Sequence, residues 1–407
     1  MALSIFSQRS KNQKLTLLID IGSSSVGAAL VSLEKGRPVH IVASVREDIS
    51  FQEVLSSARF LFVMNHSLDK VLKKIQAHLH STSGTKAGSS EGESNMIEQV
   101  FCILSSPWFI LKNRQIRVTR PSEFEVTSQM LDGFISDDVL SLKDELKKTL
   151  PSSDVMIIEK KVLQMKLNGY EIKNPYGQKT SKMEISAIVG VSSKKVTDSI
   201  EHKLRNFFHI PAVHFGTFPI AAFSAVRDIF PAEKNFIFLD VTGEATDVSL
   251  VNNDLLSGTS SFSRGRNFFI REISTKLNTV HEEAATLFAM YLRSELDSVR
   301  HTQIEAIIVH AEGEWLSRFE KTITALTESK IFPRKIFFTA DTDIAPLLLN
   351  LIAKSKTHFS SGTTFNAQYL DQLIISKFVS FETGVTRDPF VVIEALFAEK
   401  LVTQHTS

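Results

Sequence analysis

Residues 17–33, "LLIDIGSSSVGAALVSL", form the stretch on which the prediction of the fold depends. An apolar run ends in Asp20, passes through Gly22 and three serines, and resumes as a second apolar run. Apolar runs of this length, separated by small turn residues, predict two β-strands joined by a tight turn. Seen once, the pattern is typical of an ordinary hairpin, although its short side chains would also let backbone N–H groups approach a phosphate.

The same layout recurs 220 positions later in the chain. Residues 236–251, "FIFLDVTGEATDVSLV", align with residues 16–31, so that Asp240 matches Asp20 and the turns have equal length. Two copies in register indicate a duplicated fold whose two sheets direct matching turns at one cleft. Such turns can bind a polyphosphate through backbone N–H groups, and the two carboxylates can hold Mg²⁺ through its water shell. The pair therefore predicts a nucleotide-binding clamp.

The remaining sequence patterns indicate an α/β fold. No GxxxxGK[ST] run occurs, and no GxGxxG follows a strand and opens a helix, so the two common nucleotide-binding loops are excluded. Elsewhere, apolar strand patterns alternate with helical ones, which predicts mostly parallel sheets covered on both faces.

Composition limits the classes of function. The chain has 407 residues, 43% of them hydrophobic and 22% charged, which is typical of a globular protein with two lobes. Its net charge of +1 gives no overall attraction for nucleic acid. A single cysteine, Cys102, excludes an internal disulfide and a cysteine-based zinc site. No run of eighteen apolar residues occurs and the N-terminus lacks a signal core, so we expect a cytoplasmic protein without a membrane span.

Several segments resemble the actin-like ATPases, in particular the bacterial FtsA and PilM proteins. The two hairpins are similar to the first and second phosphate motifs of that family. Residues 167–196 resemble the FtsA segment that re-enters the first domain, 218–226 the helix before the second phosphate strand, and 263–288 the stretch near the nucleoside. The resemblance covers about 15–345 and depends more on order and spacing than on identity.

This resemblance implies a duplicated actin-like, ribonuclease H-like fold with an inserted α+β module of the 1C (SHS2) type. Only residues 294–303 intervene where the family carries subdomain 2B, so that subdomain is expected to be missing or reduced. The expected boundaries are a flexible tail at 1–14, domain 1A at 15–80 and 166–232, a flexible linker at 81–95, the inserted module at 96–165, and domain 2A at 233–407.

The resemblance also implies ATP and Mg²⁺ as ligands and assigns roles to individual residues. Asp20 and Asp240 match the acids that organise the metal, and Asp247 matches a catalytic acid that places water. The positions expected to contact the nucleotide are Gly22, Ser23, Ser24, Ser25, Gly243, Glu244, Thr246, Gly265 and Gly313.

Departures from the family pattern point to a weakened site. Relatives commonly have a lysine in the first turn, where this chain has Ser25 or Gly27, and a glycine run in the second, where it has Thr242 and Glu244. A carboxylate within about 5 Å of a phosphate would cost on the order of 1–3 kcal/mol. We therefore expect weak or no hydrolysis.

Three functions remain open. The first is a cytoplasmic FtsA- or PilM-like scaffold that binds ATP and links a division or pilus machine to membrane partners. Its partner would be a tubulin-like FtsZ protein or a PilN-like peptide, with homo-oligomers as a further alternative, no nucleic acid, and membrane contact only through partners. The second is an actin-fold interaction protein without activity, and the third, less favoured, is a small-molecule kinase.

One aromatic pair could serve the partner. Trp108 and Phe109 follow a proline at a strand end, where they could be exposed on the inserted module and receive a peptide by strand addition. The alternative is that they only pack the module.

Overall fold

Three β-sheets organise the chain in the computed structural model, which describes residues 15–34, 36–52, 56–83, 97–149, 154–210, 212–327, 333–355 and 364–405. Strands and helices are numbered in chain order. The first sheet has the order β15-β3-β2-β1-β4-β9. Its strands are β1 (Leu15–Ile21), β2 (Ser25–Ser32), β3 (His40–Asp48), β4 (Ile97–Leu104), β9 (His214–Thr217) and β15 (Ser380–Phe381).

The second sheet repeats the first. It comprises β10 (Phe236–Val241), β11 (Thr246–Asn252), β12 (Leu255–Phe262), β13 (Lys335–Ala340) and β14 (Asn366–Tyr369), in the order β12-β11-β10-β13-β14. In both sheets an antiparallel hairpin is followed by a third antiparallel strand, and the first strand pairs in parallel with a strand on its other side. The hairpin registers match as well, with Ile21 opposite Val26 and Val241 opposite Thr246. The expected duplication of an α/β fold is confirmed.

The inserted module is built on the third sheet. Its strands are β5 (Phe109–Glu125), β6 (Val155–Leu167), β7 (Tyr170–Glu171) and β8 (Lys179–Ser193), in the order β5-β8-β6-β7. Helix α2 (Ser128–Thr149) packs against this sheet through Leu142 and Leu146.

The boundaries expected for this module, 96–165, differ from the observed ones. β4 pairs with β1 along its length and belongs to the first sheet, whereas β8, expected to start the return to domain 1A, is the central partner of β5 and β6. The burial patterns agree with these pairings. β4 is buried continuously from Val100, as an interior strand is, whereas buried and more exposed residues alternate along much of β8.

Four helices cover the first sheet. On one face, α1 (Ser57–Ser83) packs against β2 and β3, and α3 (Lys194–Phe208) packs beside α1 in the same apolar cluster. On the other face, α4 (Phe218–Ile229) and α10 (Pro389–His405) share one apolar cluster with residues of both large sheets, and this cluster therefore joins the two halves.

Helix α10 and strand β15 correct the expected extent of domain 2A, 233–407. β15 pairs with β3, and α10 packs against α4, β1 and β2 of the first half. α10 is buried almost all round, at Val391, Val392, Ile393, Ala395 and Phe397. A helix that merely closed an outer surface would be apolar along one stripe.

The second sheet carries α5 (Arg266–Leu277), α6 (His281–Leu292), α7 (Ser298–Thr327) and α8 (Ala345–Lys354), and α9 (Gln372–Ile375) follows β14. Residues 281–327 contain helices and no strand, as a missing or reduced subdomain 2B requires. The short apolar run at 305–310, which by itself is equally typical of a strand, lies inside α7. Buried Ile304, Ile308, Ala311 and Trp315 recur at helical spacing, which the short apolar run alone did not reveal.

Two expectations fall largely outside the described residues. The tail at 1–14 is not among them, and neither is most of the linker at 81–95, of which residues 81–83 form the end of α1. In the part of the chain that the structure describes, no helix combines the length and apolarity needed to cross a membrane.

Candidate functional site

The turns of the two repeated hairpins lie against each other. Residues 22–24 form the first turn and residues 242–245 the second, and together they are called the clamp below. Ser23 Oγ donates to Thr242 Oγ1 over 2.8 Å, and the backbone N–H of Glu244 donates to Ser23 Oγ over 2.9 Å. A Cβ added at Gly243 would lie 2.7 Å from Ser24 Cβ, so the two turns are in van der Waals contact.

Asp20 of β1 is bound to an arginine of β3, which lies two strands away in the first sheet. Its Oδ2 accepts a hydrogen bond of 2.6 Å from Arg46 Nη2, and Asp20 itself is 2% exposed. The same guanidinium donates to Ser25 Oγ at 2.8 Å and to Asp388 Oδ2 at 2.7 Å. Burial raises the pKa of Asp20, and the charge of Arg46 opposes this.

Asp240 and Asp247 are also engaged and buried. Asp240 Oδ1 accepts from Thr339 Oγ1 at 2.8 Å. Asp247 accepts from Ser106 Oγ at 2.5 Å and from the Ser106 N–H at 3.4 Å. Burial raises the pKa of Asp240 well above its usual range, helped by the charge of Asp247, and burial raises the pKa of Asp247 to about 6 against the hydrogen bonds from Ser106. The acid expected to place water thus holds a serine.

The side chain of Glu244 is bound by Arg271 and Asn267 of α5. Its Oε2 accepts from Arg271 Nη1 at 2.7 Å, and its Oε1 accepts from Arg271 Nη2 and Asn267 Nδ2, each at 2.8 Å. Arg271 also donates to the carbonyl of Gln52 in the first half at 2.9 Å. The repulsion expected between Glu244 and a phosphate therefore does not arise from this side-chain position.

The glycines expected to contact a nucleotide lie in different structural surroundings. Gly22 donates its N–H to the Ser25 carbonyl at 3.0 Å and closes the first turn. Gly265 precedes α5, where an added Cβ would lie 2.1 Å from the Thr242 carbonyl, so a glycine is required beside the second turn. Gly313, which was expected to contact the nucleotide, lies in the middle of α7 with open space around it and is not part of a turn.

Thr246 and the aromatic pair serve packing. Thr246 Oγ1 donates to the Arg264 carbonyl at 2.7 Å and accepts from Trp315 Nε1 at 3.3 Å. Trp108 is stacked on Phe60 and donates to the Gly22 carbonyl at 2.7 Å, and Phe109 is buried as well. Of the two alternatives for Trp108 and Phe109, the structure supports packing.

A carboxylate pair that sequence reasoning missed lies beside the clamp. β13 ends at Ala340, and the turn that follows it contains no glycine. From this turn, Asp343 Oδ2 accepts a hydrogen bond from Arg266 Nη2 at 2.7 Å, and Asp341 Oδ2 lies 3.8 Å from Arg266 Nε. Arg46 was missed for a related reason: its place opposite Gly27 depends on the register of β2 and β3, which no local pattern specifies.

The residues as placed do not fit Mg²⁺ and ATP. The cavity beside Asp20, bordered by Ser24, Arg46, Thr242 and Asp341, has a volume of about 20 Å³, which is room for a single water molecule. The Asp20 carboxylate that would organise the metal is paired with Arg46, and the two turns touch where a phosphate chain would pass. Among the described residues, no group of three or more histidine, cysteine, aspartate or glutamate side chains is arranged to hold a metal ion.

Comparison with solved structures agrees with this architecture, whereas two comparisons of the sequence found no match. No family model matches the sequence, and no curated protein is significantly similar to it. Two matched sheets with paired hairpin turns define an actin-like ATPase fold, and this chain has that fold.

Among solved structures, the chain is similar to the PilM–PilN type IV pilus biogenesis complex, with a TM-score of 0.61, 14% identity, and coverage of 96% of this chain and 98% of that chain. Weaker similarity extends to the ethanolamine utilization protein EutJ from Carboxydothermus hydrogenoformans (TM-score 0.43, 10% identity, 95% and 89% covered). A Bacteroides thetaiotaomicron protein with an actin-like ATPase fold and unknown function is similarly distant (TM-score 0.43, 9% identity, 95% and 97% covered).

Proposed function

We propose that this chain is a cytoplasmic interaction scaffold of the PilM or FtsA kind, which holds an extended segment of a partner protein in a groove between the first sheet and the inserted module. The observation that carries the proposal is the groove itself, a cavity of about 710 Å³ between β4, β9, β6 and α10. Its lining includes Phe101, Ile103, Ile157, Phe215, Phe397 and Leu401. Any contact with a membrane goes through the partner.

Two strand edges border this groove. β9 ends the first sheet and, among the described residues, pairs with β4 alone. β6 pairs with β8 on one side. On its other side, the described part of the chain supplies only the two-residue β7, at the far end of β6. Strand edges with free backbone groups accept an added strand, and pockets beside them select alternate side chains.

Backbone N–H groups of β9 face β6 across the groove. The Thr217 N–H donates to Glu159 Oε2 of β6 at 3.0 Å. Because N–H groups on one edge of a strand recur at every second residue, the Phe215 amide lies on the same edge and faces β6. An extended peptide entering the groove would hydrogen-bond with this edge and bury apolar side chains against Phe397 and Leu401.

The similar solved structure is a complex of PilM with PilN, which supports a protein partner of the PilN type for this chain. The proposed binding requires no nucleotide. The proposal therefore agrees with an actin-fold interaction protein and does not depend on ATP binding.

The test is a peptide scan. Overlapping synthetic peptides covering the PilN-type protein of the same organism are titrated against the labelled chain by fluorescence anisotropy, and Val162→Asp is compared with wild type. Val162 borders the groove and is 36% exposed, so the substitution spares the core. We expect at least about tenfold weaker binding, equivalent to about 1.4 kcal/mol, because a charge would enter an apolar peptide site.

The matched control is Val309→Asp on α7, where the side chain is 57% exposed and lies outside the groove. It should bind like wild type. Binding that Val162→Asp leaves unchanged would place the peptide elsewhere. A parallel scan of the tubulin-like FtsZ protein separates a division role from a pilus role, and a wild type that binds neither set contradicts the proposal.

A further inference from the structure

Arg46 occupies the position beside Asp20 that a ligand cation would take. It lies directly opposite Gly27 in the β2–β3 pair, and a Cβ at Gly27 would lie 2.8 Å from Arg46 Nη2. Only glycine leaves room for the guanidinium at this point. The side chain then extends along the hairpin to Asp20 rather than into solvent.

The guanidinium joins three separate elements. It bonds to Asp20 at the end of β1, to Ser25 at the start of β2 and to Asp388 immediately before α10. Asp388 Oδ1 in turn accepts the Phe390 N–H at 3.0 Å, so the carboxylate that holds Arg46 also caps α10. Arg46 therefore fixes the first hairpin against the helix that joins the two halves.

The charges nearby are arranged around this cation. Glu394 of α10 is fully buried, and burial together with the charge of Asp20 raises its pKa well above the usual range. The carboxylates that pair directly with Arg46 are Asp20 and Asp388, at 2.6 and 2.7 Å. Buried carboxylates without such a partner would be strongly unfavourable.

A second arginine acts across the clamp. Arg271 of the second half pairs with Glu244 through Nη1 and Nη2, and its Nη2 also donates to the Gln52 carbonyl of the first half. Together with the Ser23–Thr242 hydrogen bond, it connects the halves directly. The contacts described here across the clamp all come from groups of the chain itself.

We propose that this chain keeps its clamp closed without a nucleotide, with Arg46 taking the place of the ligand cation at Asp20 and Arg271 joining the second turn to the first half. The clamp is then a structural junction between the halves rather than a binding site that opens and closes with ATP. This inference is independent of the peptide groove.

The first experiment measures thermal unfolding of the wild type with and without millimolar Mg²⁺ and ATP. We expect a shift of less than about 1 °C, because a ligand that does not bind the native state does not stabilise it. A clear concentration-dependent rise in the unfolding temperature would show that nucleotide enters the clamp and would overturn the proposal.

The second experiment removes the cation with Arg46→Ala. We expect the unfolding temperature to fall by about 4 °C or more, and millimolar methylguanidinium to restore part of that loss in the variant but not to stabilise wild type. Arg46→Lys keeps the charge but lacks the planar guanidinium whose three nitrogens reach Asp20, Ser25 and Asp388 separately. It serves where Arg46→Ala does not fold, and its unfolding temperature should lie below that of wild type.

Arg37→Ala is the matched control, because Arg37 is 74% exposed and pairs only with Glu34 on the surface. It should unfold like wild type and show no response to methylguanidinium. If Arg46→Ala or Arg46→Lys unfolds at the wild-type temperature, Arg46 does not hold the clamp and the inference is wrong.

Discussion

Gly265 and Gly313 show how differently one residue type can act in this chain. An added Cβ at Gly265 would meet the carbonyls of Thr242 at 2.1 Å and Gly243 at 2.6 Å, and neither backbone group can move without opening the second turn. Gly313 has open space around it on a continuous helix. The glycine that supports the clamp is therefore Gly265.

Alanine substitutions at these two positions should have opposite effects. Gly265→Ala is expected to destabilise the chain by about 3 kcal/mol through the clash, whereas Gly313→Ala should stabilise it by about 0.5–1 kcal/mol because alanine is the better helix former. Urea unfolding of both variants measures this. A destabilising Gly313→Ala would argue against the continuous helix.

Glu159 makes stability depend on pH. It accepts from the Thr217 N–H at 3.0 Å and from Thr217 Oγ1 at 2.9 Å. Burial raises its pKa to about 7 from a usual 4.5, against the effect of those hydrogen bonds and of Lys161. Between these two values the folded state binds more protons than the unfolded state, so its contribution to stability is present at low pH and is lost as pH rises towards 7.

Glu159→Gln should remove this slope. Between pH 4.5 and pH 8, the free energy of unfolding of wild type should fall by up to about 3 kcal/mol relative to that of the variant. The fall is smaller to the extent that water reaches the half-buried side chain. Urea unfolding at several pH values measures the difference, with Glu282→Gln, at an exposed position of α6, as control. Parallel pH profiles for wild type and Glu159→Gln would contradict the assignment.

At the scale of elements, α10 stabilises the first half. Ile393 is fully buried in the cluster that α10 shares with α4 and the first sheet. Ile393→Ala should destabilise the chain by about 3 kcal/mol, because it leaves a cavity between tightly packed elements. Denaturant unfolding tests this, with Leu373→Ala, whose side chain is 65% exposed, as a control that should change little. Equal stability of the two variants would exclude the packing role.

The sequence predicted individual elements better than their partners. β1, β2, β10 and β11 could be predicted because apolar runs bounded by small turn residues specify hairpins locally, and the repeat at 220 positions disclosed their duplication. The residues of β4 were assigned to the inserted module, but the sheet that β4 joins depends on pairing with β1, about 80 residues away in sequence. Long-range pairing of this kind leaves no local signal, which is also why α10 was assigned to the wrong half.

The same limit applies to the candidate site. The turns that meet in the clamp were predicted from the repeat, but the arginines that neutralise Asp20 and Glu244 were not, since Arg46 and Arg271 come from distant positions on β3 and α5. Loss of motif glycines indicated a weakened nucleotide site. Only the side-chain positions reveal that Arg46 and Arg271 pair with these carboxylates.

At the scale of the whole molecule, the two halves are held together through the clamp. Arg271→Ala removes the bonds to both Glu244 and Gln52. Amide hydrogen exchange in residues 22–24 and 242–245 should then accelerate about thirtyfold, equivalent to roughly 2 kcal/mol of local stability. The amides of β5 and β8 in the inserted module should keep their rates.

Arg293→Ala is the control for this measurement, because Arg293 is 57% exposed and pairs with Glu295 at the surface. It should leave exchange in both turns unchanged. A uniform increase across all three sheets in Arg271→Ala would indicate global destabilisation, and unchanged turns would show that Arg271 does not connect the halves.

The first sheet combines β1 with β15 and α10, which are encoded about 360 residues apart. On a ribosome that adds about 5–20 residues per second, β1 and β2 therefore wait roughly 20–70 s before the helix that covers them emerges. During that time their apolar faces are accessible to chaperones, whereas the inserted module has all of its strands within residues 109–193 and can fold first. Biogenesis of this chain should thus begin in its middle and finish with its outer ends.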